Sequence, residues 1–450
     1  MHTNTSDTLT INPTEVLDEL KRHILVDGFE LVVDIERSRG CRFHDAHRNR
    51  DLIDLYGFYA SMPVGFNHPH FDKPEVREDL LAAAKIKVAN SDVYSTQMAR
   101  FVKTFDRVMG IPELPRLFFI EGGALAVENA MKAAMDWKVR KNLAAGRGEI
   151  GTEVLHFKNC FHGRSGYTMS LTNTDPNKIR HFAKFDWPRV SNPRIDYSLA
   201  EPQRGEQVVA AEKQAEAEIM AALRDRPNRI CSIIIEPIQA EGGDRHFRAE
   251  WFRTLRRICD ENELLLIFDE VQVGMGVSGR NWCCQHFDVL PDLLCFGKKA
   301  QVCGVMAGGR LDEVPENVFR SPGRINSTWG GNFTDMVRST HYLKIIEREN
   351  LVANAAAVGE MFQEKLNGLA STSGGLIGAV RGRGLLLAFS FSNGDLRNTF
   401  WKECYEAGLF ILRCGECSIR LRPVLDIQAD VVDEAIGVMN DVVSKMANSE

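Results

Sequence analysis

Apolar positions along the chain follow two different patterns. Between about residues 75 and 330 short, wholly apolar runs alternate with amphipathic ones. LPRLFFI (114–120), EVLHF (153–157), ICSIIIE (230–236), LLLIFDE (264–270) and LLCFG (293–297) read as strands buried on both faces. ALAVENAMKAAMDWKVRK (124–141), AEKQAEAEIMAALRD (211–225) and AEWFRTLRRICDEN (249–262) read as helices between them. This alternation predicts a mostly parallel sheet covered by helices. Beyond about residue 330 two helical runs (333–349 and 351–369) precede the short strands GAVRGRG, LLLAFSF, LFILRC and IRLRP. A last amphipathic helix spans 428–446, so this part reads as a smaller α+β domain. The first sixty residues are irregular, with short strand-like pieces such as LVVDIE (31–36).

Ligands of parallel sheets sit outside the carboxyl ends of the strands. Gly122, Glu236, Asp269 and Lys299 all fall at such ends. An acid and an amine at neighbouring strand ends suit a pyridoxal 5′-phosphate site. The lysine forms a Schiff base with the cofactor aldehyde, and the aspartate keeps the pyridine nitrogen protonated. Taken alone, Asp269 would read as a helix cap and the Lys298–Lys299 pair as a solvated surface feature. Extended backbone alternates its side chains, so one of the two lysines faces the site; the spacing to Gly304 favours Lys299.

A phosphate needs a cradle. EGGAL (121–125) lies between a strand and a helix, so the N–H groups of Gly123 and Ala124 can point at an anion, with Glu121 turned away. NSTWGGN (326–332) offers the hydroxyl of Thr328 as a second candidate. In CFHGRSGYT (160–168), Phe161 has a face on which the pyridine ring can stack, and Arg164 can grip a carboxylate in two-pronged fashion. As isolated residues these would be core and surface.

Composition narrows the classes. The 450 residues are 44% hydrophobic and 26% charged, ordinary for a globular protein of about two domains. A net charge of −6 gives no electrostatic case for nucleic acid. No apolar run approaches a bilayer span, and the polar N-terminus lacks a signal or transit pattern. Eleven scattered cysteines suit a reducing cytoplasm. Cys414 and Cys417 form a CxxC without a second ligand pair, so no metal site is expected. No strand is followed by GxGxxG, which argues against a dinucleotide-binding dehydrogenase.

Six segments in order resemble the class-III PLP-dependent aminotransferases of fold type I, the group that includes ornithine and GABA aminotransferases. They are FFIEGGALAVENAMKAA, FHGRSGYTMSLTNT, EPIQAEGGDRHFR, LLIFDEVQ, FGKKAQVCGVMAG and NSTWGGN. Within that group the chain is most similar to the L-lysine 6-aminotransferases. The resemblance implies an α/β fold with a mostly parallel seven-stranded sheet in a large domain (76–330) and a small α+β domain (331–450). Residues 1–75 would pack with the small domain. It implies Lys299 as the Schiff-base residue, Asp269 at the pyridine nitrogen, Gln272 near the 3′-oxygen, Phe161 on the ring, and Gly123 and Ala124 at the phosphate. Thr328 would reach the phosphate of a neighbouring subunit in a homodimer with shared sites. Arg164 and Asn326 would contact substrate, and Glu241 with Arg420 would form a switch between two unlike substrates. Arg422, two residues on, competes for that last role. The implied reaction moves the ε-amine of L-lysine to 2-oxoglutarate, giving L-glutamate. Ornithine, GABA or another ω-amine donor, another PLP chemistry on the same fold, and a non-catalytic binding protein are the alternatives.

Overall fold

The computed structural model describes residues 11–448. Residues 1–10 of the expected N-terminal segment and the last two of the chain lie outside the described residues. Seven strands form the main sheet, in the order 116–120, 303–307, 293–296, 265–269, 230–235, 153–157, 189–190. All run parallel except Cys303–Ala307, which is antiparallel to both neighbours. Four of the five runs expected to be buried on both faces are so: every residue of 153–157, 230–235, 265–269 and 293–296 is buried, whereas in 116–120, at the edge of the sheet, only Phe119 and Ile120 are. Helices Gly123–Ala144, Gln203–Asp225 and Ala249–Glu261 occupy the crossovers. Trp137 packs with the sheet residues Val154, Ile234 and Ile267 in one buried cluster, while Trp251 and Phe252 sit with Leu155, Ile233 and Phe268 in another. Burial of such aromatic side chains is the main drive for docking the helices.

Helices Phe333–Arg348 and Leu351–Thr372 lead to a second, antiparallel sheet ordered 378–383, 386–390, 418–421, 412–414. The final helix is Ala429–Ala447. Near the N-terminus Val33–Arg39, Arg42–Asp45 and Arg50–Asp54 form a meander. Leu409–Phe410 joins it in parallel, pairing with Ile53 and Asp54. The first of these strands exposes consecutive residues rather than alternate ones, which is why its pattern reads as irregular.

Candidate active site

The carboxyl ends of two adjacent strands, 230–235 and 265–269, carry the acids of the site floor. Asp269 ends its strand almost fully buried. Its Oδ1 accepts the Val271 N–H at 3.1 Å, and its Oδ2 shares a 2.8 Å hydrogen bond with Nδ1 of His162. His162 is fixed in turn by its own N–H, which donates to the Thr172 hydroxyl at 3.0 Å. Burial opposes charge on this ring, but the neighbouring Cys160 sulfur and the bond to Asp269 outweigh it and raise its pKa. Glu236 accepts the N–H groups of Phe161 (2.8 Å) and Ala240 (3.2 Å), and burial lifts its pKa to about 8. Glu270 accepts the N–H groups of Cys283 and Cys284 at 2.6 and 2.7 Å, and burial lifts it to about 7. His162 attracts no notice in the sequence, although it adjoins Phe161 in the FHGR segment.

The two lysines part company here, and the expectation of Lys299 is corrected. Strand 293–296 is followed by extended Gly297, then by Lys298 in the left-handed region (φ 50°), opening a single 3-10 turn over 298–300. Strand alternation ends before the lysines and gives no guide to their direction. Lys298 lines the cleft that contains Asp269 and Gln272. Lys299 turns away: its Nζ donates to the carbonyls of Met62 (2.6 Å) and Pro423 (3.2 Å). Burial lowers Lys299 to about 7 and Lys298 to about 8, Arg420 adding to the effect on Lys298.

An unusual backbone segment caps this turn. Gly57, Phe58, Tyr59 and Ala60 all have φ between 48° and 66°, a stretch of left-handed turn in which three residues carry a Cβ. Each such residue costs about 1–2 kcal/mol. Asp54 anchors it by accepting the N–H groups of Tyr56 and Gly57, both at 2.8 Å. Tyr59 then offers its carbonyl to Lys298 Nζ at 2.8 Å, and Ser61 offers its own to Gln301 Nε2 at 2.7 Å.

The cleft is about 270 Å³ and is lined by Gly123, Ala124, Phe161, His162, Asp269, Val271, Gln272 and Lys298 among others. Helix Gly123–Ala144 starts at its edge from Gly122, whose φ of 99° suits glycine. A Cβ on Gly123 would lie 3.0 Å from Val271 Cγ1, so the absence of a side chain there keeps the helix terminus close to the strand end. Glu121 is turned away as expected, toward Lys87 (3.0 Å) and Asn332 (3.1 Å). The arrangement therefore offers one anion-binding helix end, two buried acids (Asp269 and Glu236), an apolar wall and one amine of lowered basicity.

Above the cleft, strand Ser418–Leu421 carries Arg420, whose Nη2 is 2.9 Å from Oε2 of Glu241 and whose Nη1 donates to Oε1 of Gln272 at 3.0 Å. Glu241 also pairs with Lys178 through Oε1. Burial would raise Glu241, but Arg420 and Lys178 together hold it down at about 2. Arg422 does not compete for this carboxylate. It is wholly buried and paired with the equally buried Asp244, in a turn that Arg381 also grips through the carbonyls of Gly243 (2.7 Å) and Asp244 (2.8 Å).

The remaining expected residues are not gathered into this cleft. Arg164 is exposed three positions beyond Phe161 and lines neither the cleft nor the cavity above it. Asn326 and Thr328 are exposed on the loop before helix Phe333–Arg348, where the Thr328 carbonyl accepts the Ser91 hydroxyl at 3.1 Å.

Comparison with known proteins adds four findings. The model of the family described as aminotransferase class-III matches residues 26–443. The chain is 48% identical to an L-lysine-epsilon aminotransferase of Mycobacterium tuberculosis (strain H37Rv) over 95% of both chains. It is 45% identical to one of Streptomyces clavuligerus over 99% of this chain and 97% of that one. A solved lysine aminotransferase from M. tuberculosis superposes with a TM-score of 0.94 at 47% identity, covering 97% of this chain and all of the other.

Proposed function

The chain belongs to the class-III aminotransferases, and on that footing we propose that it transfers the ε-amino group of L-lysine to 2-oxoglutarate. The products are L-glutamate and 2-aminoadipate 6-semialdehyde, which cyclises to a piperideine carboxylate. The names of the curated relatives, at 45–48% identity over nearly the whole length, support this donor. The observation that carries the reading is Glu241 bonded across Arg420 above the cleft. One pocket must accept two unlike substrates. Lysine enters amine first, with only methylenes near the reacting centre, and a bare buried guanidinium would be costly there. Glutamate brings an α-carboxylate to the same place, and Arg420 suits it once Glu241 moves aside.

Pyridoxal 5′-phosphate, the cofactor of this family, supplies an electron sink for the carbon that loses its proton. The residues of the cleft fit it. Gly123 and Ala124 would hold the phosphate, Phe161 the ring, Asp269 the ring nitrogen, and Lys298 rather than Lys299 the aldehyde. Gln272, its carbonyl oxygen committed to Arg420, keeps its amide nitrogen as donor for the 3′-oxygen. With its basicity lowered by burial, Lys298 is also the base that moves the proton at the amine-bearing carbon. His162 holds Asp269 in position. Arg164 and Asn326 are assigned to substrate, and Thr328 to the phosphate of a second subunit. Their exposure suits a homodimer in which each chain completes its partner's site.

The decisive experiment supplies lysine labelled with nitrogen-15 at the ε position together with 2-oxoglutarate. The label should appear in glutamate, and L-lysine should exceed L-ornithine and GABA in kcat/KM. Unlabelled glutamate, or a better alternative donor, would overturn the assignment. Because one methylene in an apolar pocket is worth only about 1–3 kcal/mol, the donor preference is expected to be graded.

A further inference from the structure

Glu241 has two cations, one on each oxygen. Arg420 holds Oε2 at 2.9 Å, and Lys178 holds Oε1. Lys178 comes from a different part of the chain, the short turn Pro176–Lys178 after helix Gly166–Leu171. That turn is built to keep its shape: the Asp175 carboxylate accepts the Asn177 N–H at 2.9 Å. Further along, Lys184 Nζ donates to the carbonyls of Ile179 (2.9 Å) and Phe182 (2.7 Å). Lys178 Nζ also lies 5.6 Å from the centre of the Phe161 ring, so it stands at the edge of the cleft. Next to the pair is a cavity of about 440 Å³ lined by Tyr59, Thr174, Lys178, Glu241 and Arg420 among others, which is space into which a carboxylate can turn. Arg397 and Arg413 also border it, but both are engaged with Asn398.

We propose that Lys178 is a positioning residue of the substrate switch, retaining Glu241 when that carboxylate releases Arg420 to the carboxylate of glutamate or 2-oxoglutarate. This rests on the Glu241–Arg420 reading above and adds its missing half. A partly buried carboxylate that left its only cation would be stranded, so a two-member switch would resist opening. With Lys178 already bonded to the other oxygen, Glu241 pivots about that contact and stays paired in both positions. Lys178 also competes with Arg420 for Glu241, which weakens the closed arrangement. Both effects act in the same direction, and loss of Lys178 favours the closed, lysine-accepting state.

Each half-reaction is followed separately in single turnover by the absorbance of the holoenzyme, with L-lysine in one series and L-glutamate in the other. Lys178→Met should lower the efficiency of the glutamate half-reaction about tenfold relative to the lysine half-reaction, within the usual range of coupling between sites. The change should fall mainly on the apparent KM for glutamate, and Lys178→Arg should restore it. In a Glu241→Ala background the same substitution should no longer alter the ratio, because there is no carboxylate to retain. Equal losses in both half-reactions, an unchanged ratio, or a loss that persists without Glu241 would overturn the proposal, the last by showing that Lys178 meets the substrate directly. Should Lys178→Met fail to fold, Lys178→Gln carries the same test. If wild-type enzyme prefers another ω-amine to lysine, the donor assignment fails, while the ratio measured with that donor still decides the role of Lys178.

Discussion

The floor and the roof of the site hold their charges in different ways. On the floor, Asp269, Glu236 and Glu270 each accept at least one backbone N–H. Backbone donors belong to strands and turns that cannot rearrange separately, so these acids are fixtures. In the roof, Glu241 is held by side chains alone, those of Arg420 and Lys178, and Arg420 is shared with Gln272. Side-chain ion pairs exchange by rotamer changes, which are fast and local. The difference teaches where one pocket keeps the chemistry constant and where it varies what it accepts. Floor substitutions should impair both half-reactions alike, whereas roof substitutions should separate them.

The sharpest break concerns the amine. Lys298→Ala should reduce transamination at least about a thousandfold with either substrate, because general base work and the covalent hold on the cofactor are lost together. Borohydride reduction followed by peptide mapping should find the cofactor on Lys298 in wild type and still on Lys298 in Lys299→Met. A label on Lys299 would sink the assignment. Next comes the one roof element that behaves like floor. Asp244→Ala strands the wholly buried Arg422 and should cost about 3–5 kcal/mol in denaturant unfolding. Asp269→Asn should slow both half-reactions about a hundredfold, in line with removal of a preorganised charge partner. A strong bias toward one half-reaction would contradict its place on the floor. Glu241→Ala should lower the lysine half-reaction about tenfold more than the glutamate one; equal loss would erase the contrast between the two regions.

The smallest effect is a pH profile. The Lys298 amine is protonated, and so unreactive toward an aldehyde, below its lowered pKa of about 8, and is free above it. Cofactor reloading of the apo-enzyme should therefore accelerate as pH rises through about 8. Acceleration delayed toward the ordinary lysine range would mean that burial does not act on this group as described.

Much of the floor is legible in the sequence, because a strand buried on both faces must be apolar throughout and so announces where it ends. Asp269 and Glu236 follow from that alone, and the Gly122–Gly123 turn is marked by its glycines at the end of a half-buried strand. What fails is whatever begins after regular structure stops. The choice between Lys298 and Lys299 depends on a left-handed residue beyond the strand, at a position with no glycine to mark it. Arg420 and Arg422 lie two positions apart, and only the tertiary placement of Glu241 and Asp244 tells them apart. Lys178 is one lysine among many in sequence; its meaning comes from a loop and a strand end brought together across the fold. The left-handed turn at 57–60 is equally silent, since Phe58, Tyr59 and Ala60 carry no local preference for it.

The sealed pair of Asp244 and Arg422 has a consequence on a longer timescale. With both members at 0% exposure, neither can mutate first without stranding the other's charge, so the two are bound to change together or not at all. Descendants of this gene that shift their diet of amines should accordingly drift around it, revising Glu241, Lys178 and their solvent-touched neighbours while that inner couple is handed down intact.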